Sequence, residues 1–144
     1  MGAPVVESVV VRRPLDEVAK VATDAEVVLP LVGGRISLIR EYADGSAEWD
    51  LFLDVGSIHV GGRVVVRASD GTSLSWQSIR GTRQSAELVV EPEGDATRVT
   101  VTMTTEFHGL LFAALTSRLA RGIVSRHVRA GLEQLRHQLE FGES

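Results

Sequence analysis

Few residues have the types and spacing that acid–base or metal chemistry requires. The chain has 4 histidines and none of them forms an HxH or HxxxH pair, although Glu106 and His108 share the phase of one predicted strand. Because protein metal sites need three or more ligands, this pair predicts no metal site. Asp50 and Asp54 share a strand phase opposite the apolar Trp49, so we interpret them as a solvated strand face and not as a general acid–base pair.

Motifs of nucleophilic and nucleotide-dependent enzymes are also missing from the sequence. It contains no GxSxG, GxGxxG or P-loop pattern, so hydrolase, dinucleotide and nucleotide functions lack an anchor. The chain has 0 cysteines, which excludes thiol nucleophiles and zinc–thiolate sites. We therefore predict no catalytic residue, no metal and no cofactor, although an enzymatic function stays open.

The composition predicts a single compact domain over residues 1–144. The chain is 44% hydrophobic and 24% charged, with a formal net charge of -4, and a chain of this length buries roughly two thirds of its unfolded surface. The mild acidity argues against duplex nucleic acid as a partner, because phosphate binding needs clustered positive charge. The sequence shows no signal-peptide pattern and no apolar run long enough to span a bilayer, so we expect a cytoplasmic protein.

The first third of the chain predicts one strand and two short helices. A valine-rich segment over residues 3–12 favours a strand, and Pro14 opens a helix that ends at Ala22. Thr23 and Glu26 have the spacing of a capping box, which predicts the start of a second helix. We expect Pro30 and the following glycines to end it.

Residues 35–107 predict a meander of antiparallel strands. Turn signals at regular spacing separate the strands, which we place at 35–42, 47–54, 58–68, 72–80, 84–92 and 97–107. Alternation of apolar and polar residues gives the sheet one apolar face. The predicted inward residues are Trp49, Leu51, Leu53, Val60, Val64, Val66, Leu74, Trp76, Leu88, Val90, Val99, Val101 and Met103.

The segment from about Leu110 to Glu140 predicts one long amphipathic helix that covers this face. Its apolar residues recur in steps of three and four. They are Leu115, Leu119, Ile123, Val124, Val128, Leu132, Leu135 and Leu139. The predicted class is therefore α+β: a seven-stranded curved antiparallel sheet with two short helices after the first strand and a long C-terminal helix.

This order of elements resembles the helix-grip fold of the START-like (SRPBCC, Bet v 1-like) superfamily. The segments that carry the likeness are Leu74 to Ser78 with Gly81, Glu91-Pro92 through Thr100, and Gly109. They look like the polyketide cyclase/dehydrase and lipid-transport group. The stretches Gly56 to Asp70 and Leu88 to Leu119 are also similar to the G-type subunit of carbon-monoxide dehydrogenase.

The resemblance implies binding or carriage of a small hydrophobic ligand, such as a lipid, a quinone or a polyketide-like ring system, between sheet and helix. The expected apolar wall consists of Trp49, Trp76, Met103, Phe107 and Phe112. Polar groups at inward positions, namely Ser78, Arg80 and Tyr42 together with Arg40 and Thr105, would orient the ligand. Gly62 would leave one strand position without a side chain. The alternative is that the aromatic residues are simply core.

Two further functions remain open at this point. A polyketide cyclase or dehydratase would need Arg63 or Arg67 to polarise a carbonyl, yet both alternate with Val64 and Val66 and so point outward. A membrane-associated adaptor of an oxidoreductase, similar to the carbon-monoxide dehydrogenase component, would use the basic face of the long helix. Arg118, Arg121 and Arg126 would then contact anionic lipid. The oligomeric state is left open.

Overall fold

A computed structural model describes residues 4–55, 58–106 and 117–142, apart from the side chains of 32–33, 53–60 and 117–120. Strands and helices alternate in the order that the sequence predicts. The described elements are β1 (Val5–Val11), α1 (Leu15–Ala22), α2 (Ala25–Gly33), β2 (Arg35–Glu41), β3 (Ala47–Val55), β4 (Ile58–Ser69), β5 (Ser73–Gly81), β6 (Gln84–Glu93), β7 (Ala96–Thr105) and α3 (Ser117–Phe141).

The strands form one curved antiparallel sheet in the order β1-β7-β6-β5-β4-β3-β2. Each strand from β2 to β7 pairs with its neighbour in sequence, whereas β1 pairs with β7 through Val9 opposite Val99. The predicted α+β class and the meander are confirmed, and the strand ends lie within two residues of their predicted positions. The meander forms because each turn between these strands is only a few residues long, which favours pairing of sequence neighbours.

The inner face of the sheet holds the core. Among the predicted inward residues with described side chains, every one is buried: Trp49, Leu51, Val64, Val66, Leu74, Trp76, Leu88, Val90, Val99, Val101 and Met103. Leu53 and Val60 lie outside the described side chains. Period-two alternation therefore assigned this face correctly, because successive strand residues point to opposite sides of the sheet.

The two short helices differ from the prediction in how α2 begins and ends. Asp24, not Thr23, caps α2 by accepting a hydrogen bond from the Glu26 backbone N–H at 3.1 Å. Thr23 instead ends α1, where its hydroxyl donates to the Ala19 carbonyl at 2.6 Å. Pro30 lies inside α2 and does not end it. The helix tolerates Pro30 because the hydrogen bond lost there, to Glu26, falls in its first turn.

The long helix α3 lies along β1 and also contacts α2, while α1 contacts β6 and β7 and α2 contacts β2 and β3. Val124, Val128, Leu132 and Leu135 are buried on it, as the apolar stripe predicts. Leu115 and Leu119 lie outside the described side chains. Within the described ranges, no helix is both long and apolar enough to cross a membrane.

Candidate functional site

The inner faces of β3, β4 and β5 carry two tryptophans around a pair of valines, and we call these four residues the central floor. Trp49 on β3 lies opposite Val64 on β4, and Trp76 on β5 lies opposite Val66. Directly opposed residues in an antiparallel pair share a face, so all four side chains are on the inner side. The exposed fractions of Trp49 and Trp76 are 7% and 2%. Met103 continues this surface through Ala86, which lies opposite both Trp76 and Met103.

Both indole groups of the central floor bury an N–H donor that makes no hydrogen bond. Trp49 Nε1 and Trp76 Nε1 are shielded from solvent and have no acceptor. A buried donor without an acceptor costs about 1–3 kcal/mol, and buried indoles usually find a partner. The sequence placed both rings inward, but only the structure shows that their polar ends are unpaired.

A polar segment adjoins the central floor where β5, β6 and β7 come together. Ser78 lies opposite Val64 on the inner face, and its Oγ accepts a hydrogen bond from the Gln84 backbone N–H at 3.0 Å. Gln84 is itself buried and lies opposite Thr105. The sequence prediction missed Gln84, although its position in phase with Ala86 and Leu88 was the signal that could have found it.

Arg80 and Arg40 do not lie at the inward positions that the sequence predicts. In β5 the register shifts, so that Arg80 lies opposite Arg63 while Ser78 lies opposite Val64. In β2 Leu38 lies opposite Trp49, and Arg40 lies opposite Glu48. Each shift is a β-bulge with one extra residue, and one extra residue turns the following side chain to the other face.

Tyr42 follows the same bulge and is also not inward. Its side chain is 41% exposed, and its hydroxyl bonds the Glu48 carboxylate, which raises the pKa of Tyr42. Arg40 Nε lies 3.2 Å from Glu48 Oε2. Arg40, Tyr42 and Glu48 therefore form a charged cluster on the outer face, and simple alternation failed for this strand end because it assumes an unbroken register.

Gly62 does not open space, in contrast to the sequence prediction. A Cβ on Gly62 would lie 2.1 Å from the Arg80 carbonyl oxygen, so the backbone of β5 already fills that position. Gly81, opposite Gly62, has φ 85° and an equally close approach to Gly61. Both glycines are required by the bulge, since only residues without a Cβ allow the two strands to approach this closely.

The cover over β4 and β5 involves residues beyond those described. The described helices lie along β1, β2, β3, β6 and β7, and none of them contacts β4 or β5 extensively. Phe107 and Phe112, the other predicted wall residues, lie outside the described residues. On α3, His127 buries its Nε2 without a hydrogen-bond partner, and burial lowers the pKa of His127 below its ordinary value.

The arginines of the cyclase hypothesis lie on the outer face. Arg63 Nε donates to Asp50 Oδ1 at 2.9 Å and its Nη2 lies 3.4 Å from Asp50 Oδ2, so the guanidinium is held by this carboxylate. Arg67 is exposed and shares the phase of Arg63. Both outward predictions are correct, and neither side chain reaches the central floor.

Charged groups elsewhere give no metal site among the described residues. No three His, Asp or Glu side chains in the described ranges are grouped so that they could hold a metal ion. Arg121 and Arg126 on α3 are exposed, and five residues of helix separate them by about 140° around its axis. Arg118 lies outside the described side chains.

Comparison with known proteins gives one family and a set of similar folds. The family model described as polyketide cyclase / dehydrase and lipid transport matches residues 3–140. No match is found among curated protein sequences.

Three solved structures illustrate the shared fold. The TTHA0849 protein from Thermus thermophilus is 22% identical, with a TM-score of 0.80 over 94% of this chain and 96% of that one. A START superfamily protein from Mycobacterium smegmatis is 17% identical, with a TM-score of 0.72 over 96% and 99%. The Zhui aromatase/cyclase from Streptomyces sp. R1128 is 15% identical, with a TM-score of 0.70 over 98% of each chain. Identities this low establish the fold and not the activity.

Proposed function

Because the chain belongs to the polyketide cyclase / dehydrase and lipid transport family, we propose that it binds or carries a small hydrophobic ligand against the central floor. The observation that carries the proposal is the pair of buried indoles, Trp49 and Trp76, around Val64 and Val66. Aromatic and branched side chains on one concave face supply the apolar contacts that such ligands need.

The polar surroundings of the central floor support a carrier more than a catalyst. The described groups nearest to it along the strands are Ser78 and Gln84, which are neutral. Neither activates a nucleophile, since no described acid or base bonds the Ser78 hydroxyl. Neutral groups of this kind orient a bound molecule without transforming it.

A matched pair of substitutions on β6 tests the proposal. Ala86 faces inward between Trp76 and Met103, whereas Ser85 faces outward. Ala86→Phe adds a ring above the floor and should abolish binding of 2-methylnaphthalene, measured by the fluorescence of the two tryptophans. Ser85→Phe adds the same ring to the outer face and should leave binding unchanged. Equal binding by both folded variants would contradict the proposal.

Native mass spectrometry of gently purified protein gives a second, independent test. We expect an adduct of small mass on the wild type that is lost in Ala86→Phe and retained in Ser85→Phe. If the wild type carries no adduct and binds neither 2-methylnaphthalene nor a medium-chain lipid, the proposal is wrong.

The cyclase alternative is not proposed. It would require Arg63 or Arg67 to polarise a bound carbonyl, and the Arg63 guanidinium is bound to Asp50 on the other side of the sheet. Catalysis by a group placed elsewhere would not use the residues from which that hypothesis started.

A second candidate is peripheral contact with anionic lipid through α3. Arg121 and Arg126 are exposed, and no ion pair is formed by either within the described residues, whereas Arg129 and Arg136 bind carboxylates. In a cytoplasmic protein this contact would occur at the inner membrane surface. Cosedimentation with phosphatidylserine vesicles should fall when Arg118, Arg121 and Arg126 are replaced by Gln, and absence of wild-type binding would exclude this candidate.

A further inference from the structure

The two indole N–H groups of the central floor define which polar group a ligand must carry. An indole N–H can donate a hydrogen bond and cannot accept one. Trp49 Nε1 and Trp76 Nε1 are both buried and both lack an acceptor. A ligand that rests on the central floor therefore satisfies them only if it offers oxygen or nitrogen acceptors.

The charges around the inner face determine the ionic state of that acceptor. Every described Arg and Lys is exposed, or is half-buried and bound to a carboxylate, as Arg63 is to Asp50 and Arg98 is to Glu93. The bulges in β2 and β5 turn Arg40 and Arg80 to the outer face. A carboxylate on the central floor would thus be buried without a cation from these residues, which is strongly unfavourable.

The spacing of the two indoles suits a ring with acceptors at opposite edges. Trp49 and Trp76 are separated by strand β4 and by two residues of register, since their partners are Val64 and Val66. With strands about 4.8 Å apart and about 3.4 Å per residue, their Cα atoms lie about 12 Å apart. Side chains that approach one another across this distance leave room between their polar ends for one flat ring.

We propose that Trp49 and Trp76 are specificity-determining residues that select a neutral ring compound bearing carbonyl oxygens, in preference to a hydrocarbon or a fatty acid. This inference rests on the proposed function, because it names the class of ligand for the same site. A carbonyl fits best because it only accepts hydrogen bonds, as the two indoles only donate them. A hydroxyl would bring its own donor and would need a further acceptor on an apolar surface.

Three probes with the same ring system test the selection. They are 2-methyl-1,4-naphthoquinone, 2-methylnaphthalene and 2-naphthoate, which carry two neutral carbonyls, no acceptor and a carboxylate. The protein has 0 cysteines, so the quinone cannot add to thiols and its equilibrium binding can be measured by calorimetry. We expect the quinone to bind at least about tenfold more tightly than the hydrocarbon, as one additional hydrogen bond supplies. The naphthoate should bind most weakly.

The indole signals in a ¹H–¹⁵N spectrum report the hydrogen bonds directly. The chain has 2 tryptophans, hence two indole cross-peaks, which Trp49→Phe and Trp76→Phe assign. Both protons should shift downfield with the quinone and stay nearly unmoved with 2-methylnaphthalene. This measurement uses the wild-type protein and so remains decisive if a variant fails to fold.

Variants then separate the hydrogen bond from the apolar contact. Each Trp→Phe variant should lose about tenfold in quinone affinity and much less for 2-methylnaphthalene. Met103→Leu, an apolar change on the same face, should leave the ratio of the two affinities unchanged. If the hydrocarbon binds as tightly as the quinone, or the naphthoate binds most tightly, the inference is wrong while the proposed function stands. If none of the three probes binds, both are contradicted.

Discussion

Two sides of the same sheet treat their polar groups in opposite ways. On the β1 side, where α3 lies, the polar groups are paired: Glu7 accepts hydrogen bonds from the Ser125 hydroxyl and from Arg129 Nε. Arg13 donates to the carbonyls of Leu139 and Glu140 at the end of α3. On the central floor, in contrast, two buried indole N–H groups have no acceptor.

The difference shows which side holds the fold together and which side is available for a ligand. A basic side chain that caps the last carbonyls of a helix stabilises its C-terminal end, so Arg13 connects the start of the chain to its end. Thr97 strengthens this connection, since its buried hydroxyl donates to the Arg13 carbonyl at 2.8 Å. The unpaired indoles gain nothing for stability, and a bound acceptor would give them a purpose.

The largest effect that would test this comparison is expected from a void beneath α3. Leu132 is 1% exposed on the helix, and Leu132→Ala should lower the free energy of unfolding by about 3 kcal/mol, because both transfer energy and packing are lost. Leu38→Ala, at a side chain that is 42% exposed, should cost less than about 1 kcal/mol. Urea denaturation of both variants measures the two losses. Equal losses would mean that α3 is not the main stabilising contact.

The next effect concerns the paired carboxylate on β1. The Arg129 hydrogen bond holds the pKa of Glu7 below its ordinary value, so the charged form stabilises the fold above about pH 4.5 and this contribution is lost as the pH falls through the folded pKa. Glu7→Gln should cost about 1–2 kcal/mol at neutral pH. Glu133→Gln, at a carboxylate that is 53% exposed, should cost less than about 0.5 kcal/mol. A loss for Glu7→Gln no greater than for this control would contradict the comparison.

The regular parts of the fold could be predicted from the sequence because they depend on local patterns. Period-two alternation placed Trp49, Val64 and Trp76 on one face, and steps of three and four placed Val128 and Leu132 on the helix stripe. The α2 cap was predicted at the wrong residue. Thr23 and Asp24 are both good N-caps, and their competition is decided by where α1 ends, which a capping pattern does not contain.

The candidate site could be predicted only in its apolar part. Alternation assumes an unbroken register, so one extra residue in β2 and one in β5 reversed the predicted faces of Arg40 and Arg80. The Gly62 and Gly81 pair was a signal for the second bulge, because glycines at opposed strand positions indicate close backbone approach. That the indole N–H groups are unpaired depends on neighbours distant in sequence, and no local pattern reports this.

A smaller, pH-dependent effect is expected from His127 on α3. Burial lowers its pKa below the 6.5 of an exposed imidazole. The neutral form therefore stabilises the fold above about pH 6.5, and stability is lost as the pH falls from there toward the folded pKa. His127→Gln should reduce the difference in urea midpoint between about pH 7.5 and about pH 5.5, a window that lies above the titration of Glu7. An unchanged difference would mean that His127 is not the group responsible.

The smallest effect separates the two faces of the sheet at β4. Arg63 is held by Asp50 on the outer face with both side chains about a quarter exposed, so Arg63→Gln should lower the free energy of unfolding by only about 0.5 kcal/mol. Because the guanidinium points away from the central floor, the affinity for 2-methyl-1,4-naphthoquinone should stay within about twofold of the wild type, which is the precision at which a lost hydrogen bond would still be detected. Val64, the next residue, faces inward between Trp49 and Ser78. Val64→Gln introduces the same side chain on that face and should abolish quinone binding. Loss of binding in Arg63→Gln but not in Val64→Gln would reverse the assignment of the faces, and with it the position of the ligand.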